Sequence, residues 1–385
     1  MLQNVRLINY RGLKDTTIPL APVTLLTGTN GVGKTSVLEG LYFLLSPQMP
    51  DAAVFPRYLT QVGFQGNMAA QNGLPFPIIP FRGYDYPSFW NECPTNGISE
   101  CQVEADIRGL KVSWEMKISD FAVLPPELKT VAAAYGLQSG VGSPYVLWEW
   151  TYTGGIRVDG TGYEIPDATL TAKAVQQLCM EPRFSPRIGE CIVTTCRYAD
   201  MSSLKHIPGK LPLQTENLLT DALKIINPSV TGVRLEAGNA PRLCVIMNEE
   251  STYSLGTLGI GAEAWASMLL VLAELAGTSA GQTSMMFLAD EIGAGIHYSK
   301  LGEMWDFILK FLSKYPEIQM VLTTHSRDCI SAFCKTFQNA ESCMAHRMAH
   351  IVRLHKFDEK DGVQPTVYPQ ATFETILSGE WEVRG

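Results

Sequence analysis

No apolar run in this chain reaches the roughly 18 residues that a membrane span needs. The longest apolar helical stretch, Ala264 to Ala276, is interrupted by Ser267 and Glu274, so no membrane partner is expected. Runs of lysine and arginine are missing and the formal net charge is −8. That excludes a surface uniformly coated with basic side chains and leaves nucleic-acid binding only to a local patch assembled in three dimensions. Sustained heptads are absent, which excludes a long coiled-coil arm, and no internal repeat suggests a solenoid. Paired cysteine spacings are also missing. Nine cysteines are scattered, and Cys191 and Cys196, with four residues between them, make a weak metal pattern. The opening Met1-Leu2-Gln3-Asn4-Val5-Arg6 runs straight into a strand pattern rather than an export signal. Reduced core thiols and a cytoplasmic location are therefore expected. Charged residues are few, 18% against 46% hydrophobic, which describes a globular chain and not a disordered one.

What is present is a complete phosphate-binding loop. Residues 28 to 35 read Gly-Thr-Asn-Gly-Val-Gly-Lys-Thr, the pattern G-x-x-x-x-G-K-[ST]. The apolar run Val23-Thr24-Leu25-Leu26 precedes it as a buried strand should, and Ser36 to Leu45 follows as an amphipathic helix. Strand, glycine loop and helix are the context the motif needs, which a chance glycine-rich turn would lack. The loop Gly28, Asn30, Gly31, Gly33 can curl its N–H groups around phosphate oxygens, and Ser36 lies at the helix start that adds partial positive charge. Lys34 would reach the β- and γ-phosphates, and Thr35 would hold Mg²⁺.

Two further strand ends have matching chemistry. Met285-Met286-Phe287-Leu288-Ala289 is a buried strand pattern ending in Asp290-Glu291. A carboxylate there meets Mg²⁺ at the edge of a parallel sheet. Asp290 would assist the metal and Glu291 would orient or deprotonate an attacking water. Ile318 to Thr323 is a second apolar strand, ending in Thr324-His325-Ser326, where His325 is placed to hydrogen-bond a γ-phosphate. Ser254-Leu255-Gly256-Thr257-Leu258-Gly259-Ile260-Gly261 runs into a helix from Ala262. Glycines there would expose N–H groups to an anion.

The remaining chain divides by pattern. Residues 1–46 read strand, turn, strand, phosphate loop, helix. Residues 47–229 form an insertion: an irregular proline-rich part to about 100, then an antiparallel β meander with a helix near 126–135, a helix over 168–180, a strand at 191–195 and a helix over 214–226. Residues 230–335 return to α/β alternation, with strands near 231–236, 242–247, 285–289 and 318–323 and helices over 262–276 and 299–313. A tail, 336–385, adds a strand at 350–355 and a small helix near 370–378.

The order of these motifs resembles ABC-type ATPase heads of the SMC/RecF branch, and more narrowly the OLD-like ATPases. The matching pieces are Asn9-Tyr10-Arg11-Gly12-Leu13, Gly28 to Thr35, Leu258-Gly259-Ile260-Gly261, Asp290-Glu291-Ile292-Gly293-Ala294-Gly295-Ile296-His297 and Thr324-His325-Ser326. They fall in the first and last thirds of the chain. The resemblance implies an α/β fold, a P-loop NTPase with an ABC-ATPase head whose mixed sheet is flanked by helices and carries a β-rich and helical insertion. The tail would complete the core formed by 1–46 and 230–335. It also implies ATP and Mg²⁺ as cofactors, slow regulatory hydrolysis, and a head-to-head homodimer with two ATPs sandwiched. In such a dimer Gly259 and Gly261 of one subunit face the γ-phosphate held by Lys34 of the other. Gly295 and His297 lie on the loop that crosses the interface, Arg11 or Tyr10 sits on the adenine side, and His325 is the switch histidine.

Two departures matter. The family's signature motif has serine where Gly259 stands, which removes one γ-phosphate hydroxyl contact. The Q-loop glutamine has three candidates, Gln48, Gln61 and Gln65, and Arg197 is a further charged candidate. Many OLD-like proteins carry a C-terminal Toprim nuclease. Here 60 residues follow His325 without an Asp-x-Asp, so no nuclease domain is expected within this sequence. The resemblance extends to the stand-alone ATPase subunits of two-gene phage-defence systems of the PARIS, Septu or RloA type, which implies control of a separate effector, a nuclease or Toprim-like protein. The alternative is a RecF-like repair clamp that binds DNA when ATP is bound. A transporter nucleotide-binding subunit is disfavoured by the Asn9 to Gly12 opening and the large insertion.

Overall fold

The structure is a computed structural model and describes residues 1–10, 12–45, 100–107, 110–119, 145–157, 164–174, 191–196, 210–236, 242–248, 251–277, 284–338, 349–356 and 362–379. The first strands are β1 (Asn4–Tyr10), β2 (Leu13–Pro19), β3 (Val23–Thr27), β4 (Glu100–Ile107), β5 (Leu110–Ser119), β6 (Tyr145–Arg157), β7 (Glu164–Ala174) and β8 (Cys191–Cys196). Then come β9 (Val230–Glu236), β10 (Arg242–Met247), β11 (Ser251–Ser254), β12 (Ser284–Ala289), β13 (Ile318–Thr323), β14 (Ala349–Lys356) and β15 (Val363–Pro369). The helices are α1 (Lys34–Leu45), α2 (Leu213–Ile226), α3 (Ile260–Gly277), α4 (Leu301–Lys314), α5 (Arg327–Gln338) and α6 (Phe373–Leu377).

The chain forms two compact units. One comprises Met1–Pro19, Thr35–Cys191 and Lys356–Gln364, the other Leu20–Lys34, Ile192–His355 and Pro365–Gly385. In the first, a six-stranded sheet runs in the order β2-β1-β4-β5-β6-β7, with every neighbouring pair antiparallel. Side chains alternate along its first strands as a pleat requires. Val5, Leu7, Leu13 and Ile18 are buried, while Arg6 lies outward and makes a two-pronged bond to Asp15 at 2.8 and 2.7 Å. The helix expected over 168–180 is instead β7 as far as Ala174. Pairing with β6, from Arg157↔Glu164 to Trp148↔Ala174, overrides the local preference, since strand identity depends on cross-strand partners. The expected helix near 126–135 lies outside the described residues.

The second unit is built on a sheet ordered β15-β14-β3-β13-β12-β8. β14, β3, β13 and β12 run parallel. Every residue of β3 and β13 is buried, as expected where a parallel sheet is covered on both faces. α4 packs through Leu301, Met304, Trp305, Ile308, Phe311 and Leu312, a three-and-four spacing that makes one apolar stripe. Trp305 stacks edge-on against Phe333 of α5 with centroids 4.9 Å apart, and its indole N–H donates to the Cys329 carbonyl at 3.1 Å. A separate antiparallel ribbon, β11-β10-β9, feeds the turn before α3.

α3 corrects one sequence expectation. Its 18 residues, at a mean hydropathy of 1.4, are long and apolar enough to cross a membrane by composition, so Ser267 and Glu274 do not break the run. Burial accounts for that composition here, because Trp265, Leu269, Leu272 and Leu275 lie in the core. The helix α5 and the strands β11 and β15 had no counterpart in the sequence pattern.

Candidate functional site

Parallel strands deliver their C-terminal ends to one edge of a sheet, and ligands bind in α/β folds at such an edge. Three strand ends of the second unit carry the polar residues. From β3 the chain turns through Gly28, Gly31 and Gly33, all at positive φ (134°, 79° and 112°). Gly28 is obligatory, because a Cβ there would collide with the Leu354 carbonyl oxygen of β14. Asn30 and Gly31 are exposed at the loop tip, and Lys34 is buried beneath it. The Lys34 ammonium donates to the carbonyls of Gly28 at 2.9 Å and Thr29 at 3.0 Å. Burial pushes its pKa below the usual lysine value, and the carboxylates of Glu291 and Asp290 pull the other way. Thr35 and Ser36 follow in the first turn of α1, with Ser36 buried.

β12 ends at Ala289, and Asp290 and Glu291 follow. Glu291 has φ of +57°, a left-handed conformation that a bulky residue rarely holds. Its surroundings explain how it does. The Glu291 N–H donates to the Thr323 hydroxyl at 2.9 Å, the Ile292 N–H to the Thr323 carbonyl at 2.8 Å, and the Thr323 hydroxyl to Asp290 Oδ1 at 2.5 Å. Beyond the end of β13, His325 Nδ1 lies 2.6 Å from Glu291 Oε2. Lys34, Asp290, Glu291 and His325 thus come together at one edge. Thr323 joins them, a residue that sequence reasoning placed in the strand without a role. The available signal was the doubled threonine before His325.

A second cluster sits at the start of α3. Gly259, at φ of 92°, ends the short helical turn Leu255–Leu258. Gly261 packs so closely on the loop after β12 that a Cβ would overlap the Gly295 carbonyl. The two glycine motifs, distant in sequence, are therefore in backbone contact within one chain. His297 caps the turn at Tyr298–Lys300, its Nδ1 2.9 Å from the Ser299 hydroxyl. Ile260, next to Gly261 in sequence, and Tyr298, next to His297, are exposed at 60% and 67%.

Tyr10 is fully buried in the first unit at the end of β1. Arg11, Gln48, Gln61, Gln65 and Arg197 lie outside the described residues. Among the described residues no group of three or more His, Cys, Asp or Glu could hold a metal by itself.

A family model described as an AAA ATPase domain matches residues 1–72. Among curated proteins, the OLD nuclease of Thermus scotoductus is 36% identical over 55 residues, 14% of this chain and 10% of that protein. The chain thus matches a small part of that relative's length. A solved SMC head domain from Thermotoga maritima aligns over 96% of this chain and 98% of its own, at 12% identity and a TM-score of 0.42. By its phosphate-loop motif and the two sequence matches, the N-terminal part of the chain is similar to ATPase domains of the AAA and OLD kind.

Proposed function

We propose that the chain binds ATP with Mg²⁺ on the Gly28–Thr35 loop, hydrolyses it slowly, and uses nucleotide-dependent dimerisation to control a separate effector protein. The observation that carries this is the convergence of Lys34, Asp290, Glu291 and His325 at the C-terminal edge of the parallel strands. The residues suit the cofactors. Three left-handed glycines open the loop's N–H groups to an anion. A lysine that burial leaves short of charge compensation gains most from a phosphate. With no all-protein metal cage among the described residues, the Thr35 hydroxyl and Asp290 would share the ion with phosphate oxygens and water, as Mg²⁺ prefers. When bound, Mg²⁺ supplies charge neutralisation at the β- and γ-oxygens.

In this reading Lys34 leaves the loop carbonyls for the phosphates, and Glu291 leaves His325 to orient the attacking water and accept its proton. His325 then turns to the γ-phosphate. The Gly259–Gly261 helix start of a second copy completes the charge stabilisation from the opposite side. Ile260, Tyr298 and the Gly295–His297 loop would lie in that interface. A nuclease-type effector and a role in antiviral defence follow from the resemblance to OLD-like systems, and the similarity to a protein named a nuclease is in keeping with them.

The test begins with Lys34→Ala, expected to abolish nucleotide binding. Glu291→Gln should bind ATP normally, lose hydrolysis by at least about 100-fold, and accumulate as a dimer. Hydrolysis at the wild-type rate by Glu291→Gln would overturn the assignment. Pull-down of that variant with ATP should recover a stoichiometric second protein. Recovery of DNA alone would move the function to a RecF-like clamp.

A further inference from the structure

We infer that Thr323 is a positioning residue for both carboxylates: its single hydroxyl orients the Asp290 side chain and pins the left-handed backbone of Glu291. The inference rests on the ATPase reading above and deepens it. Thr323 is the last residue of β13 and fully buried, so its rotamer is set by packing and its hydroxyl is shielded from bulk water. A hydroxyl has one proton to give and lone pairs to accept with. The Glu291 N–H can only donate, and it does so to Thr323 Oγ1 at 2.9 Å. The hydroxyl proton is therefore left for Asp290 Oδ1, 2.5 Å away. The direction of the chain of bonds is fixed: backbone N–H to hydroxyl to carboxylate.

The consequence for Asp290 is orientation. One oxygen is committed to Thr323, which sets the plane of the carboxylate and thereby the direction of the other. The consequence for Glu291 is conformation. A non-glycine residue at φ of +57° persists only where its surroundings over-determine it. Here the end of β13 clasps the peptides on both sides of Glu291. The Thr323 hydroxyl takes the N–H before it, the Thr323 carbonyl takes the Ile292 N–H after it at 2.8 Å, and the Thr324 hydroxyl donates to the Ile292 carbonyl at 3.3 Å. The parallel register Ala289↔Leu322 places Thr323 beside Asp290, so the clasp is a property of the strand pairing. Without the hydroxyl, the Glu291 turn is free to relax toward ordinary backbone, which swings the carboxylate away from His325.

Thr323→Val keeps the branched shape and removes the hydroxyl; Thr323→Ser does the reverse. In the full chain with ATP and Mg²⁺, Thr323→Val should lose about 100-fold in kcat, keep ATP affinity within about threefold, and need more Mg²⁺ for half-maximal rate. Thr323→Ser should stay within about threefold of wild type. A second readout needs no nucleotide. Amide exchange of residues 290–293 should quicken at least about tenfold in Thr323→Val and stay slow in Thr323→Ser. If Thr323→Val fails to fold, Thr323→Ala against Thr323→Ser makes the same comparison. Wild-type turnover and exchange in Thr323→Val overturn the inference, as does equal damage in Thr323→Ser, which would assign the role to the methyl group. If the wild type hydrolyses no ATP while the exchange contrast holds, the ATPase reading falls and the clasp stands.

Discussion

The two six-stranded sheets differ in where they put polar chemistry. In the antiparallel sheet β2-β1-β4-β5-β6-β7, successive strands leave at alternating ends, so no edge collects the residues after every strand. Its described ion pairs are lateral and exposed, as in Arg6 with Asp15 and Glu104. In the parallel sheet, β3, β12 and β13 all end on the same side. The segments leaving these strands are forced together: the glycine loop with Lys34, the Asp290-Glu291 pair, and Thr324-His325. Connection topology, rather than residue content, makes one sheet a scaffold and the other a site.

The parallel sheet is most sensitive at Gly28. Replacement by alanine puts a Cβ into the Leu354 carbonyl and holds a side chain at a φ of 134°. The expected loss is about 3 kcal/mol in unfolding free energy, combining overpacking with backbone strain, together with loss of ATP binding. Gly12, in the β1–β2 turn of the antiparallel sheet, has nothing within 4 Å of an added methyl group and no left-handed φ. Gly12→Ala should therefore stay within about 0.5 kcal/mol of wild type. Denaturant titration of both, with nucleotide binding alongside, checks the contrast. Equal losses would mean that the glycine loop is no more constrained than an ordinary turn.

The same contrast explains how much of the molecule is legible in the sequence. β3, β12 and β13 announce themselves because buried parallel strands are predominantly apolar, and the residues that follow them are motifs in their own right. β7 reads locally as helix because its Ala-Thr-Leu-Thr-Ala run is decided by β6 across the sheet, which no local pattern reports. β11 and β15 are short or polar edge segments. α5 begins directly after the Thr324-His325-Ser326 motif, whose polar chemistry masks the Cys329, Ile330, Phe333, Phe337 stripe behind it. The Gly261–Gly295 contact and the Thr323 clasp are out of reach for a different reason. Each joins residues more than 30 positions apart, and neither glycine nor threonine signals its partner.

A smaller effect is expected at Arg6. It bridges β1 to Asp15 of β2 at 2.7 Å and to Glu104 of β4 at 3.5 Å, with Asp15 held below the usual carboxylate value chiefly by its hydrogen bond to Arg6. All three side chains are partly in water, so Arg6→Ala should cost no more than about 1 kcal/mol. The cost should shrink in high salt and leave ATP turnover unchanged. The sign at low pH follows from the depressed Asp15 pKa: its contribution is present above the ordinary value of 3.8 and is lost as pH falls through the lower, folded value. A change in turnover would show that the antiparallel sheet is coupled to the site.

The smallest expected effect lies in the parallel sheet but away from its polar edge. His350 of β14 pairs with Thr24 of β3, and its Nδ1 is buried without a hydrogen-bond partner. Burial lowers its pKa below 6.5, so the fold favours the neutral ring. Above pH 6.5 both folded and unfolded chains hold a neutral imidazole, and folding carries no penalty. As pH drops below 6.5 the unfolded chain takes up the proton first, and stability declines until the folded ring also titrates. His350→Leu removes that decline at this position. Between pH 7.5 and 5.5 its melting temperature should fall less than that of the wild type, by about one or two degrees. Parallel falls would mean that the acid sensitivity of this sheet comes from its polar edge alone, with the strand interior contributing nothing.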